Sequence, residues 1–236
     1  MTDISGFVKT FNRIAVSKSE ETVFNDFLDI SICCLSAGKY EEDYLSIVKR
    51  YKKEEVEIFC ELFAHMVLIM DNNGTGLTDC LGEFYQRHLS RGKHGQFFTP
   101  EHVSDFMAAI NISKEDRNKT IYDPCCGSGR MLLSAAKISR HNFFFAADID
   151  ARCAKMAAIN FCLNGLLGEV AWMDSLCMTH WGGYSIQYMY GLVPVITKLS
   201  ANEGILCNAG PFDRQSKQQP TQTKVITVAQ AKLDLK

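Results

Sequence analysis

The stretch YDPCCGSGRM, residues 122–131, takes the end of a short strand through an acid, Asp123, into a glycine-bearing turn and the start of a helix. Gly127, Ser128 and Gly129 fall in the turn. Glycine there lets the chain take positive φ and lets a ligand approach the backbone. The helix start adds unpaired N–H groups and the positive end of the helix dipole, which suit a ligand with an anionic group. Taken alone, a Gly-x-Gly turn fits a purely structural tight turn equally well.

The downstream sequence separates the two. TIYD is a short strand and RMLLSAAKIS a helix. NFFFAAD is an unbroken apolar run, as expected of a parallel strand covered on both faces. ARCAKMAAINFCLNG is a helix with Gly165 just past its end, and GEVAWMD is a third strand. Strand–helix alternation at this spacing predicts an α/β fold with a parallel, doubly wound sheet. Asp123, Asp148 and Asp174 then end three consecutive strands, at the edge where such sheets bind ligands. Asp148 stands where dinucleotide-type folds place the acid that binds ribose hydroxyls. Asp150 is more simply the N-cap of the following helix.

Working toward the N-terminus, the chain turns helical. Val23, Phe24, Phe27, Leu28 and Ile32 recur at helical spacing behind a start at Ser19–Thr22. Further helices are predicted over Glu41–Arg50, over Lys53–Met70 (with Val56, Phe59, Cys60, Phe63, Met66 and Val67 inward) and over Leu77–Leu89. The turn cluster DNNGTG separates the last two. RGKHGQFFTP is a loop, and EHVSDFMAAI a helix entered through Thr99 and Pro100. This divides the chain into a helical N-terminal domain (1–92), an α/β domain (93–212) and a polar tail (213–236). Past Asp174 the period blurs. EGILCNAGPF reads as a strand leaving into a turn, and Val225–Val228 as at most one short strand.

Bulk properties narrow the class. The chain is 47% apolar with a formal net charge of −2, so no global basic field points to nucleic acid. A local basic patch stays open: the loop Arg87–His94 could contact phosphate or be an ordinary solvated linker. The ten cysteines follow no CxxC…CxxC pattern, and no metal site is expected. The N-terminus has no signal-peptide core and no apolar run reaches membrane length. The expectation is a cytoplasmic protein with reduced cysteines packed as small hydrophobes.

GQFFTP (Gly95–Pro100), DPCCGSG (Asp123–Gly129), ADID (Ala147–Asp150) and MDSL (Met173–Leu176) occur in that order. Together they resemble the adenine-N6 DNA methyltransferases, most of all the modification subunit of type I restriction-modification systems. DCLGEFYQRHLS resembles the helix joining that family's helical and catalytic domains. The resemblance covers residues 75–176 well and the first 75 loosely. It implies a Rossmann-like S-adenosylmethionine-dependent sheet, incomplete here, behind an α-helical domain. Thr99 would hold the carboxylate end of S-adenosylmethionine, and Asp123 with Cys126, Gly127, Ser128 and Gly129 its methionine moiety. Asp148, with Ile149 beside it, would take the ribose hydroxyls, and Asp174, with Ser175, the adenine amino group. Phe97 and Phe98 would line the pocket or pack in the core. Cys125 and Cys126 would be pocket lining.

The family activates the adenine amine with N-P-P-[FY] after the fourth strand, which this chain lacks. Its nearest counterpart is ILCNAGPF, where Asn208 and Phe212 are the candidate catalytic pair or part of a strand-ending turn. The family's further strands and long C-terminal helical region do not fit within residues 175–236. The expected function is therefore an adenine-specific DNA methyltransferase, with DNA and a specificity-type subunit as partners. The alternative is a catalytically inactive S-adenosylmethionine-binding module in assembly or regulation. GQFFTP argues against a small-molecule or protein methyltransferase.

Overall fold

The computed structural model describes residues 2–16, 18–90, 98–208 and 226–227. The N-terminal part holds α1 (Ser5–Ile14), α2 (Glu20–Cys34), α3 (Glu41–Val48), α4 (Lys53–Asp71) and α5 (Cys80–Phe84), the last continuing into a π-helical segment, Tyr85–Ser90. Ser19 caps α2 as its sequence suggests, accepting the Thr22 N–H at 3.2 Å. The helix expected from Leu77 starts at Cys80 instead. Asp79 caps it by accepting the Gly82 N–H at 2.8 Å, and Leu77, at φ 59°, lies outside helical space. In α4 the buried stripe is Phe59, Leu62, Met66 and Met70, three or four residues apart. Cys60 turns outward, one residue off that stripe.

The α/β part follows as α6 (Glu101–Asn111), β1 (Thr120–Asp123), α7 (Arg130–Ile138), β2 (Phe143–Asp148), α8 (Ala151–Leu163), β3 (Gly168–Asp174), β4 (Thr179–Met189), β5 (Val193–Leu199), α9 (Ile205–Asn208) and β6 (Ile226–Thr227). The sheet order is β5-β4-β3-β2-β1-β6. The pairs β1–β2 and β2–β3 are parallel, as predicted, and β6 adds a further parallel pair with β1, whereas β3–β4 and β4–β5 are antiparallel. The sheet is therefore mixed: the region past Asp174, which shows no period, is a hairpin extending it.

Residue alternation divides the sheet faces. Ile121, Phe144, Ala146 and Val170 enter one core with α7, α8 and the N-terminal helices. Tyr122, Ala147, Ala171 and Met173 face the other side, where Leu206 of α9 packs on them. The first core is continuous from Ile4 to Ile196. The helical part also covers the hairpin's outer edge. The Ile196 N–H donates to the Leu35 carbonyl at 2.9 Å, and the Lys198 N–H to the Tyr40 hydroxyl at 2.8 Å. An edge strand with its donors satisfied is no template for further pairing. The architecture is α/β, a Rossmann-like sheet preceded by an α-helical part.

The segment expected to run as a strand into Asn208 is helical. Glu169, on β3 and 4% exposed, accepts the N–H groups of Ile205 at 2.8 Å and Leu206 at 3.0 Å. A buried carboxylate needs such donors, and those of a helix start are unpaired within the helix. The tail expected over 213–236 lies outside the described residues except for Ile226–Thr227, which pair with Ile121–Tyr122.

Candidate cofactor site

Three strands deliver three acids to one edge of the sheet. Asp123 is buried at the end of β1, and its Oδ1 accepts the Cys125 N–H at 3.1 Å. The chain then turns through Gly127 (φ 55°) and Gly129 (φ 85°) into α7. Both angles are in the left-handed region, where a Cβ is costly. At Gly127 a Cβ would also come within 3.0 Å of the Phe98 ring.

Asp148 holds this turn from the neighbouring strand. Its Oδ2 accepts the Gly127 N–H at 2.8 Å and its Oδ1 the Asp150 N–H at 2.9 Å. The carboxylate keeps lone-pair capacity beyond these bonds. Burial pushes the Asp148 carboxyl above its ordinary value, partly offset by the N–H donors of Asp150, Gly127 and Ile149. Ile149 is exposed, and its carbonyl accepts the Trp172 indole N–H at 3.1 Å. Asp150 is the N-cap of α8, accepting the Arg152 N–H at 2.8 Å.

At the end of β3, Asp174 Oδ1 accepts the N–H groups of Leu176 and Cys177, both at 2.9 Å. The Cys177 donor, then that of Leu176, holds the carboxyl below its ordinary value. Ser175 ties this turn to the first, donating from Oγ to the Pro124 carbonyl at 2.8 Å. The turns after β1, β2 and β3 are thus bonded into one rim.

Thr99 is half-buried, and its carbonyl accepts from Arg130 Nη1 at 3.2 Å. Phe98 is partly buried, with its ring stacked on Tyr85 at 5.8 Å between centroids. Cys126 is buried, which pushes its thiol well up; Cys125 is exposed. None of the ten cysteines forms a disulfide. Phe97 and Phe212 lie outside the described residues, as does the side chain of Asn208, whose backbone ends α9. Of the loop Arg87–His94, Arg87 is paired with Glu83; residues 91–94 lie outside the described residues. Among the described residues no group of three or more His, Cys, Asp or Glu side chains could hold a metal, and no helix is long and apolar enough to cross a membrane.

A glycine turn between β1 and α7, with an acid closing each of the next two strands, is the arrangement that family comparison can test. The model of the N-6 DNA methylase family matches residues 77–198, more than half of the chain. The chain belongs to the N-6 DNA methylase family. The matched span runs from the residue before Thr78 to β5 and contains all three acids. The type I restriction enzyme MpnII methylase subunit of Mycoplasma pneumoniae is 29% identical over 121 residues, 44% of this chain and 22% of that protein. The MjaVIII methylase subunit of Methanocaldococcus jannaschii is 31% identical over 96 residues, 37% of this chain and 16% of that protein. The aligned part is thus about a fifth of the length of these curated relatives. The methyltransferase subunit of a type I restriction-modification system from Streptococcus thermophilus superimposes with a TM-score of 0.41 at 19% identity, covering 72% of this chain and 39% of that one.

Within this methylase family member the structure adds residues that the sequence pattern passes over. Asp79, Arg130 and Asn160 are buried beneath the glycine turn. Asn160, in the apolar second half of α8, and Asn164, its C-cap, are one helical turn apart, a pair of polar side chains that marks this face of α8 as meeting something other than hydrocarbon. Arg130, the first residue of α7, gives no such signal.

Proposed function

We propose that this chain binds S-adenosylmethionine on the rim formed by the β1, β2 and β3 turns. We further propose that it is the cofactor-binding part of an adenine-N6 DNA methyltransferase of the type I modification-subunit kind. The observation that carries the cofactor reading is the Gly127–Asp148 bond. It presents the glycine backbone and a carboxylate with spare lone pairs side by side, a fit for the hydroxyls of a nucleoside and the amino-acid end attached to it. Bound there, the cofactor supplies a sulfonium-activated methyl group. The chain's residues bind and orient: Asp148 the ribose hydroxyls beside Ile149, Asp174 and Ser175 the adenine edge, and Thr99, Asp123 and Cys126–Gly129 the methionine end. Phe97 and Phe98 would line the pocket.

DNA and a specificity-type subunit are the proposed partners, in the cytoplasm. The boundary at residues 92 and 93 is proposed as the division between a helical unit and the methylase unit. Asn208 and Phe212 are the residues proposed to meet the target base. The helical course of 205–208 and the loss of N-P-P-[FY] favour a second reading, a module that binds the cofactor without transferring its methyl group. Labelled S-adenosylmethionine separates the two. Methyl incorporation into DNA in the presence of a specificity subunit, lost in Asn208→Ala, supports the transferase. Binding without incorporation supports the module, and no binding removes both.

A pH dependence follows from Asp148. Its folded value lies above the ordinary 3.8, so its ionised form is lost as pH falls through that raised value, earlier than for an exposed aspartate. Ribose hydroxyls donate to the ionised form. Cofactor affinity should therefore weaken as pH is lowered from about 7 toward about 4. Calorimetric titrations across that range check it, and an affinity constant throughout would contradict the assigned role.

A further inference from the structure

Asp79 caps α5 in the helical part, yet it sits behind the glycine turn and is 8% exposed. Its Oδ1 accepts the Gly82 N–H at 2.8 Å and Asn160 Nδ2 at 3.0 Å; its Oδ2 accepts Ser128 Oγ at 2.5 Å and Arg130 Nε at 3.0 Å. A carboxylate has about four lone-pair sites, and all four are filled from within the fold. Asp79 therefore has no capacity left for a ligand. The Asn160 amide also donates to the Ser128 carbonyl at 2.8 Å, so turning it over would set two acceptors against its oxygen. Arg130 reaches on to Glu83 Oε2 at 3.1 Å and to the Thr99 carbonyl at 3.2 Å. The packing leaves no slack: a Cβ on Gly82 would lie 2.2 Å from both Asp79 Oδ2 and Ser128 Oγ.

We propose that Asp79 is a positioning residue for the cofactor turn. It fixes Ser128 and Arg130, and through Arg130 the Thr99 backbone, so that cofactor affinity is set from the helical part by a residue that does not touch the cofactor. Ser128 stands between two glycines, the residues least able to hold a conformation unaided. Its side chain is the anchor that the glycines lack. Asp148 holds the turn from the ligand side at Gly127, and Asp79 holds it from behind at Ser128. Bonds to a buried carboxylate are charge-assisted and strong, and removing one partner leaves the others unpaired.

This inference rests on the cofactor reading, so its test carries one readout with ligand and one without. Asp79→Asn and Ser128→Ala are compared with Phe59→Leu, a core change in the helical part that lowers stability without touching the network. In ligand-free protein, hydrogen exchange at the Gly127–Arg130 amides should quicken by about tenfold or more in the first two variants and stay unchanged in the third. Calorimetry with S-adenosylmethionine, below each variant's melting temperature, should give an affinity loss of about tenfold for Ser128→Ala and none for Phe59→Leu. Equal losses in both, or unchanged turn exchange in the folded variants, would overturn the proposal. If Asp79→Asn does not fold, Ser128→Ala carries both readouts. A wild-type protein that binds no cofactor would refute the cofactor reading, while the exchange result would still uphold or overturn the hold on the turn.

Discussion

Replacing Asp148 with alanine is expected to weaken S-adenosylmethionine binding by about 100-fold or more. The carboxylate does two things in the proposed site. It holds Gly127 and Asp150 through N–H bonds of 2.8 and 2.9 Å, and it offers its remaining lone pairs to ribose hydroxyls. Bonds to a charged acceptor contribute about 1.5–3 kcal/mol each. Losing the ligand-side bonding therefore lowers affinity by about 10- to 100-fold, and the slackened glycine turn brings the loss to about 100-fold or more. Asp150→Ala is the informative contrast. Asp150 caps α8 and pairs with Arg152 at 2.7 Å, so its removal should cost about 1 kcal/mol of stability and leave affinity near wild type. Calorimetry on the two variants reads both effects. Similar affinities in both would show that Asp148 does not meet the ligand.

The acids were legible because each closes a strand whose own sequence is an apolar run ending in a turn, and the turns after β1 and β2 lead into helices with a visible cap or stop. Asp150 and Gly165 are such marks, and the structure uses both as written, with Gly165 at φ 64°. The hairpin β4–β5 was illegible for local reasons. Gly182 and Gly183 interrupt any period yet lie inside β4, where Cβ atoms would come within 2.9 Å of the Leu199 carbonyl oxygen and 2.4 Å of that of Val170. Close strand approach, not a bend, puts glycine there. The actual turn holds Tyr190 and Gly191 at φ 52° and 70°, and tyrosine hides the Asn-Gly signal that such a turn ordinarily carries. The helical course of Ile205–Asn208 was hidden differently. It depends on Glu169, a charge in a strand that local pattern would turn to solvent, and no local window contains both ends of that contact. The network around Asp79 has the same character, joining residues 79, 128, 130 and 160 across the fold.

Phe84→Ala is expected to be the most damaging single truncation in the helical part. The ring is 1% exposed and meets Phe7, Phe11, Phe24 and His88 at centroid distances of 5.0, 4.7, 5.4 and 5.2 Å. It is where α1, α2 and α5 converge. Truncating a buried phenylalanine costs about 3–5 kcal/mol through lost transfer free energy and the cavity left behind, and the ring pairs add to it. At roughly 2–4 °C per kcal/mol for a chain of this size, the melting temperature should fall by about 10 °C or more. The loss should not stay local. Phe84 is two residues from Gly82, which is pressed against Ser128, and one core runs through both parts. Helical and α/β parts should therefore melt in one transition in the wild type, with the variant moving that transition as a whole. Scanning calorimetry decides between this and the alternative. A variant in which a small early transition splits away, leaving the rest at the wild-type temperature, would mean that the helical part folds on its own and that Asp79 loses its hold on the turn before the sheet melts.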